Sequence, residues 1–137
     1  MTRESVRSEL VAAGVALTHA EGDLDYFYDN SLQVEYGEDG HADFIGVSSD
    51  ESLIVSFFGM DVFDTPAEQV FSAIAQRETA GMHAFDPLEY LFPQQIVTLW
   101  DAAAQYDHRG GQKRIIWAQI GLGTERYLSD VRRLAGG

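Results

Sequence analysis

Eight carboxylates fall within twenty-three residues of this chain: Glu21, Asp23, Asp25, Asp29, Glu35, Glu38, Asp39 and Asp43. Such a density can form a solvated outer face, face a cationic protein, or hold a divalent cation, and spacing speaks to the last of these. The Asp23-x-Asp25-x-x-x-Asp29 spacing lacks the loop glycine and the distal bidentate Glu of an EF-hand. Tyr26, Phe27 and Tyr28 between those acids favour a strand. The histidines, His19, His41, His83 and His108, include no i, i+2 or i, i+4 pair, and cysteine is absent. No metal site is therefore expected, and thiol chemistry and disulfides are excluded.

Catalytic arrangements fare no better. Asp107-His108 sits beside Gly110-Gly111, and a flexible loop tip lacks the rigid geometry that general acid–base chemistry needs. Gly121-x-Gly123 precedes Thr124 but has neither a third glycine nor a P-loop Lys-Ser/Thr pair. No Gly-x-Ser-x-Gly element occurs. The expectation is a non-enzymatic protein with no cofactor.

The acids then read as a surface for a basic protein partner, with Asp23, Asp25, Asp29, Glu35, Glu38, Asp39 and Asp43 as its contact residues. From Ser8 to Gln76 there is no Lys or Arg, while fourteen Asp or Glu occur. Residues 1–100 hold eighteen acids and three basic side chains; residues 101–137 hold four and six. With a net charge of −13, the chain repels a phosphate backbone, so nucleic acid is not an expected partner. One Lys against eight Arg gives a competing reading, a GC-rich or salt-adapted source, in which case the acidity serves only solubility. No run approaches a membrane span and the N-terminus lacks a secretion signal, so a cytoplasmic location without membrane contact is expected. The oligomeric state is left open.

A folded scaffold must position these residues. An apolar fraction of 45% with 12% aromatics in 137 residues is enough for one cored domain. Thr2 reads as the N-cap of a helix with Val6, Leu10 and Val11 at helical spacing, ended by Gly14. Strands with Val15, Leu17 and His19, then Leu24, Tyr26 and Tyr28, then Leu32, Val34 and Tyr36 follow, and the tyrosines share parity with core positions. Asp25 and Asp29 share parity with each other, and Glu35 and Asp43 approach across a hairpin turning at Gly37-Glu38-Asp39-Gly40. Further strands are expected near Leu53–Phe58, Pro87–Phe92, Gln94–Trp100 and Arg114–Ile120, with Asp101 to Gln112 as a polar loop. Thr65-Pro66-x-Glu68 predicts a capping box opening a helix with Val70, Phe71, Ile74 and Ala75 inward. Thr124 caps a final helix carrying Leu128, Val131 and Leu134.

The halves also correspond. Thr2-x-x-Ser5-Val6 matches Thr65-x-x-Glu68-Gln69-Val70, and Asp25-Tyr26-Phe27-Tyr28 matches Glu89-Tyr90-Leu91-Phe92. The expected fold is therefore α+β: a single domain, 1–137, of two helix–β-meander repeat units, approximately 1–62 and 63–137, forming antiparallel sheet with helices on one face. Such a tandem resembles proteins of the β-lactamase inhibitor protein type and small bacterial lipoproteins built from the same unit. The segment Phe58-Gly59-Met60-Asp61-Val62-Phe63-Asp64-Thr65-Pro66-Ala67-Glu68 is similar to a strand-to-helix junction in small uncharacterised bacterial proteins. The first resemblance implies a concave sheet that holds another protein, although the disulfides of such secreted inhibitors are missing here. An acidic immunity or antitoxin-type inhibitor is the concrete functional expectation. A small-molecule-binding module with an apolar pocket is the alternative.

Overall fold

The computed structural model describes residues 1–50, 54–78, 81–106 and 113–136. The described residues are mixed α+β: three helices, seven strands in mostly antiparallel sheet, and a two-stranded ribbon. The chain forms two compact units, Met1–Val47 with Leu122–Gly137, and Ser48–Gly121. No helix among the described residues is long and apolar enough to cross a membrane.

In the first unit, α1 spans Arg3–Ala12, and Thr2 caps it by accepting the Ser5 N–H at 3.2 Å. Gly14, at φ +84°, turns the chain out of the helix, a conformation that costs a residue with a Cβ. Strands β1 (Leu17–Glu21), β2 (Leu24–Phe27), β3 (Leu32–Tyr36) and β4 (Ala42–Ser48) follow as an antiparallel meander in chain order. The chain turns at Gly22-Asp23 between β1 and β2, and the hairpin at Gly37–Gly40 forms as expected, closed by Gly40 N–H to Gly37 O at 2.9 Å. The C-terminal helix α3 (Glu125–Gly136) starts at Thr124, whose hydroxyl accepts the Tyr127 N–H at 3.3 Å.

Register assigns the faces. Asp25 lies opposite Val34, and Val34 opposite Ile45. On this face Val6 of α1 packs with Phe27, Val34 and Tyr36. Glu35 lies between Leu24 and Phe44 and alternates to the other face. There Phe44 stacks on Tyr127 of α3, ring centroids 4.6 Å apart. Helices thus cover both faces of this meander, which corrects the expectation of helices on one face. The physical reason is that both faces are apolar enough to need cover: Phe27 and Val34 on one, Phe44 on the other.

Strand β2 is also inverted relative to its expected parity. Asp25 and Phe27 are the buried residues, with Leu24 and Tyr26 half-buried. Asp25 is fully buried yet accepts five hydrogen bonds: two each from Arg3 and Arg7, at 2.7–3.2 Å, and one from the Tyr36 hydroxyl at 3.0 Å. Arg3 also donates to Gly22 O at 2.8 Å and Leu24 O at 3.2 Å, and its guanidinium lies 5.0 Å from the Tyr36 ring centre. Burial opposes ionisation of Asp25, but the bonds from Arg7, Arg3 and Tyr36 outweigh it and hold the carboxyl well below its ordinary range. Burial, with the adjoining Asp25 carboxylate, pushes the Tyr36 hydroxyl up. Asp29 does not share the face of Asp25: β2 ends at Phe27, and Tyr28, Asp29 and Asn30 turn with φ of 54°, 51° and 70°.

The second unit holds the ribbon β5 (Ser56–Phe57) and β6 (Met60–Asp61), turned at Phe58-Gly59 with φ 51° and 78°. A 3₁₀ turn, Val62–Asp64, leads to α2 (Ala67–Ala75). Of the expected inward stripe, Val70, Phe71 and Ile74 are buried and Ala75 is half-buried. The capping box is not formed: α2 has no side-chain cap, and the Thr65 hydroxyl is oriented to donate to Asp61 O at 2.6 Å. Strands β7 (Glu89–Phe92), β8 (Val97–Tyr106) and β9 (Lys113–Gly123) lie in the order β9-β8-β7. The polar stretch expected from Asp101 is strand as far as Tyr106, since Asp101 at φ 57° bends the backbone and Ala102 stays bonded to Pro87 O at 2.7 Å. Glu78 accepts the Gln94 and Gln95 N–H groups at 2.7 and 3.1 Å, fixing the β7–β8 turn. Burial works against the Glu78 charge, yet these donors and Gln95 Nε2 hold its pKa down. The repeat is not confirmed: Asp25 is buried, whereas its sequence match Glu89 is exposed.

Replacing Asp25 with Asn strands two guanidinium groups and is expected to cost about 3 kcal/mol, the low end for breaking a buried pair because both arginines keep some solvent contact. Chemical denaturation of the variant checks this. Because the folded-state pKa of Asp25 is depressed, its stabilising contribution is full above the unfolded-state value of about 3.9 and disappears as pH falls through the folded-state value. Acid titration of wild type against the Asn variant should therefore converge at low pH.

Candidate functional site

An open groove of about 730 Å³ lies within the first unit, between the β3–β4 hairpin and α3. Six carboxylates line it, Asp23, Glu35, Glu38, Asp39, Asp43 and Asp130, against two guanidinium groups, Arg126 and Arg133. Five of the seven sequence-nominated residues therefore meet in one place. The other two do not: Asp25 is buried under α1 by its arginines, and Asp29 stands exposed in the β2–β3 turn.

The groove is built around a close approach. Gly37 has no side chain, and a Cβ there would overlap the Asp43 carboxylate and lie 2.7 Å from Arg126 Nη1. This permits Arg126 to fork onto Asp39, with bonds of 2.6 and 2.7 Å, a geometry in which planar donors match both carboxylate oxygens. The His41 N–H adds a bond to Asp39 at 3.1 Å. Arg126, then His41, holds the Asp39 carboxyl well below its usual range, and Asp39 in turn raises Arg126. Asp43 is buried and accepts from the Thr124 hydroxyl at 3.2 Å, while its carbonyl accepts the Thr124 N–H at 2.9 Å. The same residue thus caps α3 and ties it to β4. Asp130 pairs with Arg133 at 3.1 Å.

Glu35 is different. No hydrogen bond or ion pair reaches its side chain among the described residues, and it is half-buried. Burial raises its pKa first, followed by the negative charges of Asp43, Asp23 and Asp130. The expected approach of Glu35 to Asp43 is present, and its sign is repulsive. Asp23 and Glu38 are exposed on the same rim.

Sequence reasoning missed the α3 wall, where Tyr127, Val131 and Leu134 accompany Arg126, Asp130 and Arg133. The apolar spacing of α3 was visible, but nothing in the sequence links Arg126 to an acid 87 positions away. Elsewhere, His19 stacks on Tyr26 at 4.6 Å and His83 Nδ1 meets the Tyr90 hydroxyl at 2.6 Å. Among the described residues no group of three or more His, Asp or Glu is arranged to hold a metal. Asp107-His108 lies outside the described residues.

An ionised Glu35 is a net burden on the folded state, since its pKa is raised on folding. Glu35→Gln is therefore expected to stabilise the protein at neutral pH by on the order of 0.5 kcal/mol, a small value because solvent screens a half-exposed charge. The advantage should shrink as pH falls through the folded-state pKa and wild-type Glu35 takes up its proton. Paired thermal melts across that range measure it. No protein-family model, no curated protein and no solved structure matches the chain.

Proposed function

We propose that this protein is a non-enzymatic binding module that engages a basic protein partner through the acidic groove of its first unit. A cytoplasmic immunity or antitoxin-type inhibitor is the concrete form of this reading. The observation that carries it is Glu35, a half-buried carboxylate without a cation among the described residues, with Asp23, Asp43 and Asp130 close enough to repel it. Folding alone favours removing such a charge, whereas an incoming Lys or Arg would convert the repulsion into attraction. The exposed rim acids extend the field outward, which speeds encounter with a cationic surface and makes it salt-dependent. A phosphate backbone would be repelled by the same field.

The test is a pull-down from native cytosol at two salt concentrations, using wild type and a Glu35→Gln, Glu38→Gln, Asp23→Asn triple variant. A basic protein should be retained by wild type at low salt, released at high salt, and held at least about tenfold more weakly by the variant, the loss of one good charged contact. Equal retention by the two proteins would defeat the reading.

One observation favours a second reading, a small-molecule-binding module. The second unit has an apolar recess of about 350 Å³ lined by Pro66, Ala67, Phe85, Pro87, Ala102 and Ile115, with Glu68 at its edge. Its size lies within the range of ligand pockets. On this reading, small aromatic compounds should raise the melting temperature of wild type and fail to do so for Ala102→Phe, which fills the recess. An unchanged melting temperature throughout a compound panel would count against it.

A further inference from the structure

Along α3, Tyr127, Val131 and Leu134 recur at i, i+4 and i+7 and line the groove as an apolar ridge opposite the acids. Leu134 is 79% exposed. Among the described residues Leu128 is the buried apolar side chain of this helix and Tyr127 stacks on Phe44, so it is Val131 and Leu134 that the core does not require. The two walls therefore ask for different chemistry from one occupant: apolar contact on the α3 side, positive charge on the β3–β4 side.

We infer, resting on the basic-partner reading above, that the occupant is an amphipathic cationic segment of a protein, with one apolar side chain seated on Val131 and Leu134 and an Arg or Lys one helical turn away reaching Glu35. Charge selects this occupant over the others. A second copy of the chain carries the same −13 and is repelled, as is an anionic lipid surface. Within the groove Arg126 and Arg133 already engage Asp39 and Asp130, so the uncompensated negative charge is concentrated at Glu35 with Asp23 and Glu38. Its position beside the apolar ridge matches the helix-in-groove mode, in which apolar anchors and flanking charges lie on one face of the bound segment.

The probe is a fluorescein-labelled helical peptide with Leu on one face and Arg one turn away, together with versions carrying Leu→Ser or Arg→Gln. Binding is followed by anisotropy to wild type, Glu35→Gln, Leu134→Ser and, as a control outside the groove, Asp29→Asn, with circular dichroism confirming that each is folded. Glu35→Gln and Leu134→Ser should each raise Kd about tenfold, in keeping with loss of one central anchor. Only Glu35→Gln should flatten the salt dependence, and Asp29→Asn should bind as wild type. If Leu134→Ser and the Leu→Ser peptide bind unchanged, recognition is by charge alone and the inference is overturned, while a salt-released basic partner would still support the reading it rests on. If the Leu/Arg peptide fails to bind wild type even at low salt, the inference fails as well.

Discussion

The first unit depends on neutralising one buried carboxylate. Asp25 points into the core between α1 and the meander, where an ion without partners costs several kcal/mol. Two arginines from successive turns of α1 and a tyrosine from β3 complete its shell. This fixes where α1 sits, because Arg3 and Arg7 can both reach Asp25 only if the helix crosses above β2. It also fixes the face of Tyr36 and, by alternation, that of Glu35 on the opposite side of the sheet. The acidic groove is thus set in place by an ion cluster on the other face.

The same cluster explains the polarity of the unit. Residues 1–100 contain three basic side chains, and Asp25 engages two of them. Little positive charge remains along this stretch to balance the hairpin acids, and the compensation comes from α3. Arg126 supplies it to Asp39 and, at 4.0 Å, to Asp43, and Gly37 leaves the space for that approach. Compensation stops short of Glu35. The result is a graded wall, with paired acids beside α3 and, toward Asp23, acids that no cation among the described residues meets.

Local chemistry was legible in the sequence and long-range pairing was not. Thr2, Gly14, the glycines of the β3–β4 turn and Thr124 declared their elements because capping and positive φ are properties of a few adjacent residues. The parity of β2 misled, because alternation treats Asp25 as outward unless Arg3 and Arg7 are known to lie above it. The capping box at Thr65 misled for a related reason: its hydroxyl turns back to donate to Asp61 O, at the start of the preceding 3₁₀ turn, and does not cap α2. Five groove acids could be nominated from density and strand order alone. Their opposite wall required knowing that α3 returns to the first unit, and no spacing rule carries that information.

The discontinuity of the first unit also orders events in time. Asp39 and Asp43 are synthesised long before Thr124 and Arg126, and neither meets its α3 partner until residues from 122 onward have emerged. Until then the hairpin lacks the helix that stacks on Phe44, and the groove has one wall. Chains fold largely in order of synthesis, and contacts of long sequence separation form late. The groove therefore has both walls only once residues 122–136 have been made, and a chain stopped before them displays the hairpin acids without the apolar side chains that face them.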